Sequence, residues 1–168
     1  MAEKYMLTEK TVQELAQVLV EKLTLSGLIA ATAESCTGGG VAYAITEISG
    51  SSQCFDRGFV TYSNDAKEQM LEVDAHVLKK YGAVSEQVVE QMAIGATAHS
   101  NADIAVAISG IAGPNGGTEE KPVGTVCMSW YNAHVGSKTA TYLFVGDRSE
   151  VRTQAIRLAL IGLMEHIN

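Results

Sequence analysis

The chain reads as an α/β protein, a three-layer α/β/α sandwich built around a mixed β-sheet. Three observations carry that expectation. Helical and strand-like segments alternate through the first two thirds of the sequence, the pattern of parallel strands joined by helical crossovers. Residues 103–109 are apolar almost without interruption, as in a strand buried on both faces. Two strand-like segments, 123–131 and 138–145, then follow each other directly and add an antiparallel pair.

Residues 7–25 set Val12, Leu15, Val18, Leu19 and Leu23 at helical spacing. Thr8, with Thr11 three residues on, gives a weak cap signal, and Gly27 ends the helix. Residues 28–33 read as a short buried strand. Ser35 follows it, and Thr37-Gly38-Gly39-Gly40 opens a helix to about Ile48, ahead of the loop Ser49-Gly50-Ser51-Ser52. Residues 55–62 alternate and carry aromatic and β-branched side chains, so they read as a strand. Ser63 or Asn64 caps a short helix over 65–71, and another covers 75–80 and stops at Gly82. Ser85 with Glu86 starts a helix whose apolar face is Val88, Val89, Met92, Ala93 and Ala96. The strand over 103–109 runs into a glycine-rich loop, 110–117. The two late strands join across a turn at 133–136. Asp147 and Glu150 have the spacing of a capping box for a last helix, 148–167.

With 168 residues, 46% hydrophobic and 18% charged, residues 1–168 have the length and composition of one globular domain. Residues 1–10 show no signal-peptide core, and the longest apolar run, around 104–107, is far too short for a bilayer. The expectation is a cytoplasmic protein without a membrane partner. Cys36, Cys54 and Cys127 are an odd number with no C-x-x-C pair, and His76, His99, His134 and His166 lack metal-ligand spacing. Neither a disulfide framework nor a metal is expected. A formal charge of −7 argues against nucleic acid, which needs a basic surplus, but not against a small anionic ligand.

Three unusual loops follow predicted strands, so they are expected on one rim, where α/β sheets bind their ligands. In the first, 34–40, Ser35 stands beside the unpaired N–H groups of a helix start, donors that would hold an oxyanion if the serine attacked an amide. A serine there is equally a favoured helix N-cap. The segment is not a G-x-S-x-G elbow, and no histidine marks a triad. In the second, 58–67, Lys67 would act as base for a serine if burial weakened its hold on a proton, and Tyr62 would relay or donate one. The plain alternatives are a solvated helix lysine and a half-buried strand tyrosine. Ser-x-x-Lys spacing is absent, so the pairing must be tertiary, Ser35 with Lys67. In the third, 109–117, four glycines in the eight residues after Ser109 suit a backbone nest for phosphate, although a tight turn also uses glycines. It is neither a Walker A motif nor a G-x-G-x-x-G fingerprint. Glu119-Glu120-Lys121 reads as a solvated face.

Taken together these segments resemble the CinA C-terminal family, competence/damage-inducible-type proteins that include nicotinamide-nucleotide amidohydrolases. The matching pieces are AESCTGG at 33–39, GSS at 50–52, GFVTYSNDAKEQML at 58–71, GAVSEQVVEQMAIGA at 82–96, SGIAGPNGGTEEKPVGTV at 109–126 and GDR at 146–148. They cover nearly the whole chain in order. The resemblance implies conversion of nicotinamide mononucleotide to nicotinate mononucleotide and ammonia, with no cofactor and no metal. It implies Ser35 as nucleophile, Lys67 as its base and Tyr62 as a partner in proton transfer, with pyridine-nucleotide salvage as the purpose. Thr37, Gly38, Gly39, Ser52, Ser109, Gly113, Gly116 and Gly117 fall at substrate-pocket positions. Arg148 or Arg152 would hold the phosphate, since arginine pairs well with it. Some members carry an additional N-terminal domain, which a chain of this length is expected to lack.

A symmetric dimer is expected because such dimers are commonest among soluble oligomers. The runner-up function is a non-catalytic module that senses pyridine nucleotides, which would need the glycine loop and an arginine but not Lys67 or Tyr62. A DNA-recombination accessory role is opposed by the acidic balance.

Overall fold

The computed structural model describes residues 9–167, and each element begins where a backbone group finds its partner. Helix α1 (Val12–Ser26) starts at Thr11, which forms a full capping box with Glu14 and leaves through Gly27 in the left-handed region. The cap therefore lies at Thr11, whereas Thr8 falls outside the described residues. Because the Leu28 amide still bonds to Leu23 O, strand β1 (Ala30–Glu34) begins two residues later than expected. It also runs one residue further, since Glu34 pairs with both of its neighbours. Helix α2 (Gly40–Thr46) and a 3₁₀ turn (Ser51–Gln53) lead to β2 (Phe55–Val60).

Ser63 caps α3 (Asn64–Leu71) by accepting from the Ala66 amide. Helices α4 (Ala75–Tyr81) and α5 (Glu86–Ala98) follow, capped by Asp74 and Ser85. Strand β3 (Ile104–Gly110) is buried along six of its seven positions. It pairs with β4 (Thr125–Asn132), which pairs with β5 (Gly136–Leu143). Helix α6 (Arg148–Glu165) has the Asp147–Glu150 capping box and stops two residues before position 167. Its end is set by His166, whose carbonyl accepts from Asn132 Nδ2 at 2.9 Å.

The sheet order is β2-β1-β3-β4-β5. Strand β1 is parallel to β2 and β3, and the last two pairings are antiparallel. On one face Ile104, Val106 and Ile108 pack under α1, α2 and α6; on the other Ala105 and Ala107 pack under α3, α4 and α5. The result is the three-layer sandwich with a mixed sheet. Leu15, Leu19 and Leu23 are fully buried in the first layer, each stabilising the fold by roughly 2 kcal/mol. Among the described residues no helix is long and apolar enough to cross a membrane.

Candidate active site

Strand β1 is followed by α2 on one face and β2 by α3 on the other. Two neighbouring strand ends thus release the chain in opposite directions, and a crevice opens between them. Ser35 is the first residue past β1. Its amide donates to Ile108 O at 3.0 Å, one step beyond the Glu34–Ile108 pair. That step brings Ser109, 1% exposed, alongside Ser35, itself 8% exposed.

Lys67 enters from α3. Its Nζ lies 3.1 Å from Ser35 Oγ and donates to Thr61 O at 2.8 Å and Tyr62 O at 3.2 Å. The residue is 1% exposed, and among the described residues no carboxylate forms an ion pair with it. Burial holds its pKa below the ordinary lysine value, with the neighbouring Cys36 acting weakly the other way. The solvated helix lysine that the sequence also allowed is therefore excluded. The adjacent Thr61 hydroxyl is buried without a hydrogen-bond partner among the described residues.

The helix-cap reading of Ser35 fails too. The N-cap of α2 is Gly39, at φ 94°, which contributes no side chain, and the helix starts three residues later than expected. Its first amides do not face an oxyanion, because Glu34 takes them. Glu34 Oε1 accepts from Val41 N at 2.8 Å and Thr37 Oγ1 at 2.7 Å; Oε2 accepts from Ala42 N at 3.0 Å and Thr32 Oγ1 at 3.2 Å. Thr37, expected in the substrate pocket, is fully buried with its hydroxyl on Glu34 instead. Within the turn Gly38 N donates to Ser35 O and Gly40 N to Thr37 O, which leaves the Cys36, Thr37 and Gly39 amides outside its ladder. The Cys36 thiol is pushed up to about 11, chiefly by burial, so it stays protonated and does not compete as a nucleophile.

Sequence reasoning assigned Glu34 no role. The available signal was strand alternation: carried one residue past Ala33, it turns a carboxylate to the same face as Thr32, towards the coming helix start.

The two arginines differ. Arg152 Nε and Nη2 donate to Cys36 O at 3.1 Å and Thr37 O at 3.2 Å, so this side chain braces the Ser35 turn from α6. Arg148 is exposed; Nη1 donates to Gly113 O at 2.8 Å and Nη2 lies 3.4 Å from Tyr62 Oη. Both line an open cleft of about 690 Å³ with Ala112, Pro114, Val123 and Asp147. Tyr62 is 64% exposed and meets Lys67 through its carbonyl, not its phenol.

The glycines divide as well. Gly38 and Gly39 form the turn beneath Arg152 and Val60. Gly113, at φ 84°, would place a Cβ 2.5 Å from Val123 Cγ1, and Gly117 one 2.7 Å from Val123 N. Chain packing on Val123 thus requires these two, so the glycine density of the loop has a structural cause as well. Gly116 and Gly117 are exposed and stand off the cleft. Ser52 is a further correction. It precedes β2, and since β1 and β2 are parallel it lies at the opposite end of the sheet from Ser35. Among the described residues no three His, Cys, Asp or Glu side chains gather to hold a metal ion.

Solved structures share this architecture, and curated proteins share its sequence over nearly the whole chain. The chain is 52% identical over 159 residues to the nicotinamide-nucleotide amidohydrolase PncC of Escherichia coli K12, covering 95% of this chain and 96% of that protein. It is 51% identical over 151 residues to a CinA-like protein of Akkermansia muciniphila, covering 90% of this chain and 36% of that longer one. The crystal structure of the competence/damage inducible protein CihA from Agrobacterium tumefaciens superposes with a TM-score of 0.90 at 46% identity, covering 92% of this chain and 94% of that one. The CinA C-terminal domain family matches residues 12–167, and the chain belongs to that family.

Proposed function

We propose that the protein hydrolyses the carboxamide of nicotinamide mononucleotide to nicotinate mononucleotide and ammonia, through an acyl-enzyme on Ser35. The observation that carries the reading is the buried amine of Lys67, without a counter-ion among the described residues, 3.1 Å from Ser35 Oγ. A neutral lysine has two N–H groups and one lone pair. The carbonyls of Thr61 and Tyr62 take the two donors, and the lone pair then faces the Ser35 hydroxyl. Relatives named for this activity at 52% identity support the substrate.

Ser35 Oγ adds to the amide carbon while Lys67 accepts the hydroxyl proton. Turn amides between Cys36 and Gly39 hold the oxyanion. The C–N bond breaks as Lys67 returns its proton to the leaving nitrogen, and ammonia departs. Water, deprotonated by Lys67, then releases the acid and restores Ser35. Tyr62 takes the second proton-transfer position at the mouth, and Arg148 meets the phosphate. The reaction serves pyridine-nucleotide salvage in the cytoplasm, in a symmetric dimer.

Ammonia release from nicotinamide mononucleotide, measured for wild type and Ser35→Ala, tests this. Turnover is expected in the first and absent in the second. Wild-type turnover in Ser35→Ala would remove the nucleophile, and tight nucleotide binding without turnover in wild type would favour the sensing module.

A further inference from the structure

We infer that Glu34 is a positioning residue for the nucleophile: its carboxylate locks the turn that carries Ser35. The inference rests on the proposed nucleophilic role of Ser35. Glu34 is fully buried, and each of its oxygens accepts two hydrogen bonds. Its backbone belongs to β1, yet its side chain ends under the first amides of α2. One residue therefore ties together the strand before the turn, the middle of the turn at Thr37 and the helix after it.

Capping the helix alone does not account for this arrangement. A helix start with an extended N-cap serine, asparagine or aspartate would satisfy the same kind of amide at far smaller desolvation cost than a buried carboxylate. The cap is instead Gly39, with no side chain, and the acceptor comes from across the turn. What that adds is a rigid span on which the position of Ser35 depends. The outer side of the span is fixed independently, by Ile108 O on the Ser35 amide and by Arg152 on the Cys36 and Thr37 carbonyls. Between the two, Ser35 Oγ is held within reach of Lys67, while the hydrogen bonds of the Glu34 carboxylate go to Thr32, Thr37, Val41 and Ala42 and not to either reacting side chain.

Three variants test the role. Thr37→Val removes only the mid-turn tie with a side chain of nearly equal shape, Thr37→Ser restores the hydroxyl, and Glu34→Gln turns an NH₂ group onto one pair of donors. Two quantities are read on folded protein: kcat and KM for ammonia release, and the rate at which a fluorophosphonate labels Ser35. In Thr37→Val both kcat and labelling are expected to fall roughly tenfold to a hundredfold with KM little changed, because small misplacements of a reacting atom have effects of that size. Thr37→Ser is expected to recover most of both, and Glu34→Gln to lose more than Thr37→Val. If Glu34→Gln does not fold, the two Thr37 variants decide. Wild type that labels Ser35 but leaves the nucleotide intact would defeat the proposed substrate, while the labelling ratios would still judge Glu34. Thr37→Val with wild-type kcat and labelling, or with losses that only track loss of folded protein, would overturn the positioning role.

Discussion

Replacing Lys67 by methionine separates what the lysine does for the reaction from what it does to the fold. The two side chains are similar in length, and the methionine fills the space of the aliphatic stem, so packing changes little. Two opposing effects remain. The bonds with Thr61 O, Tyr62 O and Ser35 Oγ are lost, at about 1 kcal/mol each and independently of pH. In exchange, the fold no longer holds an amine that is 1% exposed and has no ion pair among the described residues. Each tenfold by which burial weakens its proton affinity costs the charged folded state about 1.4 kcal/mol.

The sign follows from the direction of the shift. The folded pKa lies below the ordinary value of 10.5. Beneath the folded value both states are protonated and the penalty is complete. Between the folded value and 10.5 the unfolded chain holds a proton that the native protein does not, so wild type gains stability as pH rises. Its stability relative to Lys67→Met should therefore climb by up to about 1.4 kcal/mol per pH unit within that window. Urea unfolding of both proteins, from near-neutral pH to beyond 10.5, measures it. Loss of the carbonyl bonds moves the level of that difference, not its slope. A flat difference across the range refutes the reasoning. A difference that falls would mean the fold strengthens the ammonium, which cannot then take the Ser35 proton. Turnover of Lys67→Met should drop by about 10²–10⁴-fold, the usual worth of a positioned base.

Arg152→Met removes the two bonds that brace the turn; it should lower kcat by about tenfold or more and hardly move KM, whereas Arg148→Met should chiefly raise KM. Steady-state kinetics that reversed this pattern would make Arg152 the phosphate ligand. Tyr62→Phe keeps the ring and loses the contact with Arg148, so turnover should slow with binding kept; a change confined to KM would place Tyr62 in binding alone. Gly113→Ala meets both a φ of 84° and Val123 at 2.5 Å, and should cost about 1–3 kcal/mol in urea unfolding. Unchanged stability there would mean the loop relaxes around the methyl group.

Agreement between sequence and structure is best where one local rule decides. The Asp147–Glu150 box starts α6, Ser85 starts α5, and the apolar run of β3 is buried as its composition implies. Boundaries moved where the deciding partner is distant: Glu34 joins β1 because the Thr61 amide reaches its carbonyl at 2.9 Å. The role of Glu34 was illegible for the same reason. Its amide partners lie seven and eight positions ahead, a separation that no cap or turn rule covers. Ser35 and Lys67 are 32 residues apart, so no spacing rule pairs them; the expectation rested on two loops sharing one rim and on the family-like motifs. Those motifs also singled out Ser52, which the parallel pairing of β1 and β2 sends to the other end of the sheet.

The closeness of Ser35 and Lys67 follows from the topology. From β1 the chain steps to β2 on one side, and from β2 it passes back over β1 to reach β3 on the other. Right-handed crossovers that run in opposite directions must use opposite faces of the sheet, so α2 and α3 diverge and leave the crevice between their strands. Each reacting group is then fixed by its own side of that crevice. Lys67 folds back onto the first carbonyls past the end of β2, Thr61 O and Tyr62 O, while Ser35 rides on a turn held by Glu34, Ile108 and Arg152. What aligns the two halves is the β1–β2 ladder, through the Glu34–Val60 pairing and the Thr61 N to Glu34 O bond. A slip of one residue in that ladder would turn the side chains of β2 to the opposite face and carry Lys67 away from Ser35. The pairing of two short strands is thus as much a part of the site as the serine and the lysine it brings together.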